Sequence, residues 1–373
     1  MRLLFVIDSL VTGGAQRQMV YLATGLAQRQ HVVEFFVYRP AVQDFAPVLR
    51  QAGIQIHECS RSHRLSAAVV LALRTLIERG SFNAVVSFLT TPNLYNLVAK
   101  ISLRHYPILV VSERTCDPPG RIPPSRRLAR PLYRLADHVV VNSYHHREYL
   151  AHKHPFLRAK LTTIYNGVDL THFSPSTASV VGRGRGLGLL AIANMSRAKN
   201  GLCLVEALGM LLRARGVCPS VSWAGEQGEA GDPRRYREEM EQAIRRNGLE
   251  ARWHWLGQRA NVAELLREHD ALVHPSYIEG LPNVVCEALA CGRPVIVSNT
   301  LDHPLLVEHG LSGFVFDWRD PADLAAKIRE FEDLPEASRA DMGRRAREYA
   351  ERNLALKRYV DDFEGLLRGL PQA

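Results

Sequence analysis

Short β-branched or aliphatic runs alternate with amphipathic helical stretches along almost the whole chain, and no other feature restricts its fold as strongly. Leu3–Ile7, Val32–Tyr38, Ile54–His57, Ala84–Phe88, Ile108–Ser112 and His138–Asn142 read as strands. Between them, Met19, Leu22, Ala23 and Leu26 form a stripe at helical spacing, and 45–52, 65–79 and 93–103 read as further helices. Strands that alternate with helices imply parallel βαβ units and a doubly wound α/β sheet. The pattern breaks over Asn166–Gly188, a Gly/Ser/Thr-rich stretch that reads as a linker. It then restarts with strands at Leu189–Ala193, Ser220–Ala224, Arg252–Leu256, Ala271–His274 and Pro294–Ser298, and helices at 200–215, 232–247, 261–268 and 283–290. A last helical, charged segment covers 335–370. The chain has 373 residues, which suits two domains of roughly 150–200 residues. The expected organisation is one domain over 1–170, a second over 171–355, and a C-terminal helix over 356–373. Two such domains are expected to leave a cleft, with functional residues in the loops after the strands.

Apolar residues make up 46% and charged residues 23% of the chain, the balance of a water-soluble globular protein. No apolar run reaches the ~18–20 residues a membrane-spanning helix needs. Leu3–Ile7 is interrupted by Asp8 and reads as a buried first strand rather than a signal peptide. The six cysteines are scattered without a C-x-x-C pair or a zinc-ligand spacing, as expected for buried thiols in a reducing cytoplasm. Charge is unevenly placed. Residues 1–170 hold 21 Lys and Arg against 10 Asp and Glu, a net of +11, while 171–373 hold 26 against 28. The first half should therefore carry a positive field. Nucleic acid, an anionic membrane surface or a phosphorylated substrate would suit it, as would a plain bias towards arginine.

The stretch Ser276–Asn299 places Glu279 in the loop after a strand, then Gly280, Leu281 and Pro282, then a helix from Asn283 to Ala290 that stops near Gly292. Pro282 suits the first helical position, and the first-turn amides offer a phosphate site. Glu287 is expected to face outward from the stripe Val284, Val285, Ala288 and Leu289. Carboxylates at these two places can accept hydrogen bonds from sugar hydroxyls, or simply balance the helix dipole at the surface.

The run EGLPNVVCEALACGRPVI resembles the E-x7-E signature of retaining glycosyltransferases of family 4. GGAQRQMVYLATGLAQR at 13–29, IYNGVDLTHFSP at 164–175, AKNGLCLVEAL at 198–208 and EHGLSGFVF at 308–316 agree with it in order. The resemblance implies a GT-B fold, two Rossmann-like domains facing across a cleft. It implies that Glu279 engages the donor sugar and Glu287 the ribose of a nucleotide sugar. Lys199 would neutralise the diphosphate, with Gly280, Leu281 and Asn283 lining the donor. The family more often has an Arg where Asn194 stands, and Arg197 is the candidate replacement. Gly13 and Gly14 correspond to the family's glycine pair against the diphosphate and acceptor, with Gln16 and Arg17 as weaker candidates. Where many members carry a His, this chain has Ser112-Glu113-Arg114, as in a subgroup of bacterial glycan assembly; Glu113 and Arg114 either bind acceptor or pair with each other. A second departure is LDHPLLV at 301–307, where the family often has Pro-Glu before Leu-Val.

The chain contains no D-x-D motif after a strand, so no metal and no cofactor are expected. The implied partners are a nucleoside-diphosphate sugar, UDP-linked first and GDP-mannose second, and a glycan or lipid-linked acceptor. An anionic membrane is expected to meet 61–80 and 121–138 of the basic half at the inner face of the cytoplasmic membrane, with no nucleic acid. Two rival classes are a dinucleotide oxidoreductase, against which the missing G-x-G-x-x-G counts, and a non-catalytic sugar-nucleotide or glycolipid binder on the same fold.

Overall fold

The computed structural model describes residues 1–60, 66–117, 122–176, 186–225 and 233–369. The chain divides into two compact units, Met1–Gly167 with the segment from Leu356, and Val168–Ala355. Each unit is built on its own parallel sheet.

In the first unit the strands are β1 (Arg2–Ile7), β2 (Val32–Val37), β3 (Gln55–Glu58), β4 (Ala84–Phe88), β5 (Ile108–Glu113), β6 (His138–Val141) and β7 (Leu161–Thr163), in the spatial order β3-β2-β1-β4-β5-β6-β7. All neighbouring pairs are parallel. Successive side chains of a strand point to opposite faces. Leu3, Phe5 and Ile7 accordingly enter one core and Leu4 and Val6 the other. Helices cover both faces, which is why the strands read as unbroken apolar runs.

The second unit holds β8 (Gly188–Ile192), β9 (Ser220–Ala224), β10 (Trp253–Gly257), β11 (Ala271–His274), β12 (Val295–Ser298) and β13 (Gly313–Phe316), ordered β10-β9-β8-β11-β12-β13. Its core joins Leu189, Ala191, Trp223, Val273 and Ile296 of the sheet to Leu204 and Leu208 of the helix Gly201–Arg215. In both sheets the strand order reverses beside the unit's first strand, between β1 and β4 and between β8 and β11. Ligands of doubly wound sheets bind outside the carboxyl ends of the strands at such a reversal.

The sequence reading did not anticipate the helices Pro124–Leu132, Tyr144–Lys153, His303–Leu306 and Pro321–Asp333 or the short strands β7 and β13. The segment 335–370 is two helices, Glu336–Asn353 and Leu356–Gly369. The interruption has a hydrogen-bonding cause: the Val168 amide takes the Leu354 carbonyl at 2.7 Å, and Val168 bridges Ala355. The expected linker ends its first-unit part at Gly167, while 177–185 lie outside the described residues.

The helix Leu356–Gly369 belongs to the first unit and lies against the helix Gly14–Gln28. A Cβ on Gly25 would come within 2.6 Å of Val360, so glycine permits this approach. Arg29 pairs with Asp361 and Glu364 at 2.6 Å each.

Candidate active site

Lys199 and Glu279 meet at the strand-order reversal of the second unit. Arg197–Lys199 form one 3-10 turn after β8, and Asn200, at φ 54°, starts the helix Gly201–Arg215. Asn tolerates this left-handed conformation better than most residues. Glu279 lies in the loop between β11 and the helix Asn283–Ala290. Lys199 Nζ donates to Glu279 Oε1 at 2.5 Å. His274, the last residue of β11, places Nε2 2.9 Å from the same oxygen. Glu279 Oε2 accepts no hydrogen bond among the described residues. The Glu279 side chain is 12% exposed and that of Lys199 20%.

Burial by itself would push the Glu279 carboxyl up. The Lys199 charge and the His274 hydrogen bond outweigh that and hold it well below the usual carboxylate range. Glu279 is therefore an anion at neutral pH, with one oxygen doubly held.

The loop that carries Glu279 is tied down on several sides. The Tyr277 amide and the Ser276 hydroxyl both donate to the Ala198 carbonyl, at 3.0 and 2.9 Å. Ser298 Oγ donates to the Ser276 carbonyl at 2.5 Å, and Thr300 Oγ1 to the Tyr277 carbonyl at 3.0 Å. The Tyr277 ring stacks on Trp318 at 5.0 Å. Asn200 donates to the Trp318 carbonyl at 2.9 Å, so loops after β8, β11, β12 and β13 are joined.

Sequence reading missed His274 and His303. A histidine ending the otherwise apolar strand ALVH was the available signal for the first. The departure at LDHPLLV was the signal for the second, which is fully buried. Burial pushes the His303 imidazole down to about 3, helped by the neighbouring His274. Its ring stands at 68° to that of His274, centroids 5.5 Å apart.

Other expected residues fall differently. Glu287 is 4% exposed and does not face outward. Val285, Cys286, Ala288, Leu289 and Ala290 of its helix are all buried too, leaving little polar face. Gly280 and Leu281 are buried and Asn283 is half-buried. Pro282 caps this helix rather than opening it; its carbonyl accepts from Val285 at 3.1 Å and Cys286 at 3.3 Å, which removes those two amides from any phosphate site. Asn194 is exposed. Arg197 turns to Glu239 at 2.6 Å and lies over the Tyr236 ring, because the helix Pro233–Arg246 brings an acid to it.

In the first unit Gly13 and Gly14 lie after β1, at the start of the helix Gly14–Gln28. A Cβ on Gly13 would stand 2.4 Å from Gln16 Oε1. Gln16 in turn donates to Asp8 at 3.2 Å. Arg17 is half-buried. Glu113 and Arg114 are both buried and do not pair with each other. Glu113 is the last residue of β5 and Arg114 the first beyond it, and each has its own partners. Glu113 accepts a two-pronged bond from Arg130 at 3.1 and 2.9 Å and lies 2.9 Å from His146. Arg114 donates to Asn166 at 3.0 Å and Tyr359 at 3.3 Å, with its guanidinium 3.8 Å over Phe88. Among the described residues no group of three or more His, Cys, Asp or Glu could hold a metal ion. None of the described helices is long and apolar enough to cross a membrane.

Two doubly wound units, with a lysine and a carboxylate at the reversal point of the second, define the GT-B architecture. HepE (Alr3699) of Anabaena, solved with UDP and glucose, matches this fold with a TM-score of 0.85 at 21% identity, over 99% of this chain and 100% of its own. Residues 12–172 match the model of Glycosyltransferase Family 4 and residues 186–333 that of Glycosyl transferases group 1. The chain belongs to family 4 of the glycosyltransferases.

Among its relatives are the D-inositol 3-phosphate glycosyltransferases of Mycolicibacterium vanbaalenii, 28% identical over 61% of this chain and 52% of that protein, and of Streptomyces avermitilis, 29% identical over 58% and 48%. This chain thus spans about half the length of these curated relatives.

Proposed function

We propose that this protein moves a sugar from a nucleoside-diphosphate sugar, UDP-linked, to a hydroxyl of a glycan or lipid-linked acceptor, with retention of configuration, in the making of a cell-surface polysaccharide or glycan. The observation that carries the reading is the Lys199–Glu279 pair at the strand-order reversal, within a fold shared with a protein solved with UDP and glucose. A leaving diphosphate gathers negative charge as the glycosidic bond breaks, and a fixed cation favours that state over the ground state. Lys199 is that cation. Glu279 Oε2 accepts from donor-sugar hydroxyls and orients the anomeric carbon.

The bond from the anomeric carbon to the diphosphate oxygen breaks, and a bond to the acceptor oxygen forms on the same face. The departing diphosphate takes the acceptor's proton. Lys199 supplies the charge a metal would otherwise bring, so turnover is expected to persist in EDTA. The first half's excess of cations, 21 against 10 acids, suits an acceptor bearing phosphate at an anionic membrane face in the cytoplasm.

The test is a panel of UDP- and GDP-sugars offered with a lipid-linked saccharide, the product read by mass spectrometry and its anomeric linkage by NMR. An added hexose in the donor's own configuration supports the reading. An inverted linkage removes retention, and failure of every nucleotide sugar to bind removes the donor class.

A further inference from the structure

The Glu279 carboxylate has two holders on one oxygen, and they differ in kind. Lys199 is a flexible ammonium at the end of four methylenes, 20% exposed. His274 is fixed on the last residue of a fully buried strand, and only 2% of it is exposed. Glu279 itself sits on a loop beside Gly280. A carboxylate on a loop needs a rigid partner if one oxygen is to keep a constant aim, and small misplacements at a reacting centre are costly. In the proposed reaction Lys199 also serves the diphosphate. Only the imidazole can hold Glu279 without sharing that duty.

We propose that His274 is the positioning residue of Glu279: its Nε2–H fixes Oε1, so that Oε2 alone is presented to the donor sugar. This inference rests on the donor reading above. His303 backs the arrangement. Its Nδ1 lies 3.0 Å from the Ser298 carbonyl and 3.1 Å from Ser298 Oγ, which locks the ring edge-on against His274. Ser298 Oγ also holds the Ser276 carbonyl, so a buried chain of hydrogen bonds fixes the start of the Glu279 loop while the His303 ring packs against the strand end. Nothing in the E-x7-E pattern includes His274; the strand end supplies it from outside the motif.

The role requires an N–H at the position of Nε2, not a positive charge and not merely a ring. His274→Phe keeps the ring against His303 and removes the donor. His274→Gln places an amide N–H where Nε2 stands. The experiment titrates wild type, His274→Phe, His274→Gln and Glu279→Gln calorimetrically with UDP and UDP-glucose and with GDP and GDP-mannose. Thermal unfolding confirms that each variant is folded.

The expected result is unchanged nucleotide affinity in all four proteins. The extra affinity conferred by the sugar should be lost in His274→Phe as in Glu279→Gln, and largely restored in His274→Gln. Turnover of the preferred donor should fall about 10–100-fold in His274→Phe. Undiminished sugar affinity and turnover in folded His274→Phe, with both lost in Glu279→Gln, would overturn the role of His274 and leave the donor reading standing. Wild-type protein that binds none of the four compounds would remove the donor reading and this inference with it.

Discussion

Lys199 and Glu279 stand 80 residues apart in the chain and meet at 2.5 Å, one from the loop after β8 and the other from the loop after β11. The pair is largely buried, with 20% of the Lys199 side chain and 12% of that of Glu279 exposed, and Lys199 holds the carboxyl low. Lys199→Ala should therefore lower the thermal midpoint, and in the folded variant it should lower UDP affinity and reduce turnover by about 100-fold. Titration calorimetry and a donor-consumption assay read the two effects separately.

Glu113 carries a structural load. It is 2% exposed and faces Arg130, 1% exposed, with His146 alongside. Removing one partner of such a buried pair costs about 3–5 kcal/mol. Arg130 keeps Asp117, so Glu113→Ala should fall at the lower end of that range. Urea unfolding measures the loss. The folded variant should keep the wild-type KM for the acceptor, which a role in acceptor binding would not allow.

Glu364 ties the C-terminal helix to the first unit. Its hydrogen bond from Arg29, then those from His31 and Arg368, outweigh desolvation and lower its pKa to about 2 from 4.5. A carboxyl depressed by folding contributes stability in full above the unfolded value and loses it as pH falls towards the folded one. Wild-type stability should decline between about 4.5 and about 2, and Glu364→Gln should flatten part of that decline. Urea midpoints across this interval decide it.

The basic half predicts a membrane contact. The helices Ala67–Gly80, Thr90–Ile101 and Pro124–Leu132 each present an exposed apolar residue, Leu71, Ile101 and Leu128, while 61–65 and 118–121 lie outside the described residues. Anionic vesicles should sediment the protein, neutral ones should not, and raised salt should release it. Leu128→Glu combined with Arg127→Glu should weaken sedimentation about tenfold, at roughly 1 kcal/mol per cationic contact.

Much of the fold was legible because the periodicity was strong. The runs at Ala84–Phe88, Ser220–Ala224 and Ala271–His274 are strands with those bounds. The helix Tyr144–Lys153 was not, since YHHREYLAHK shows no apolar stripe; its start is set by Ser143, which accepts from the His146 amide at 3.1 Å. Glu279 and Lys199 were legible from a short local pattern and its resemblance to a family. Their contact with each other was not, because it depends on β8 and β11 lying side by side. Glu113 and Arg114 were visible as chemistry, but adjacency in sequence suggested a pairing, whereas each is held by a partner distant in sequence, Arg130 and Asn166. Arg197 was drawn to Glu239 by a helix whose approach no local pattern reveals.

The most direct measurement of the central claim is donor turnover by wild type and Glu279→Gln on the same nucleotide sugar, with nucleotide affinity measured beside it. Wild type should transfer the sugar. Glu279→Gln should bind the nucleotide equally well and lose turnover by about 100-fold or more. Turnover in folded Glu279→Gln equal to that of wild type would contradict the assignment.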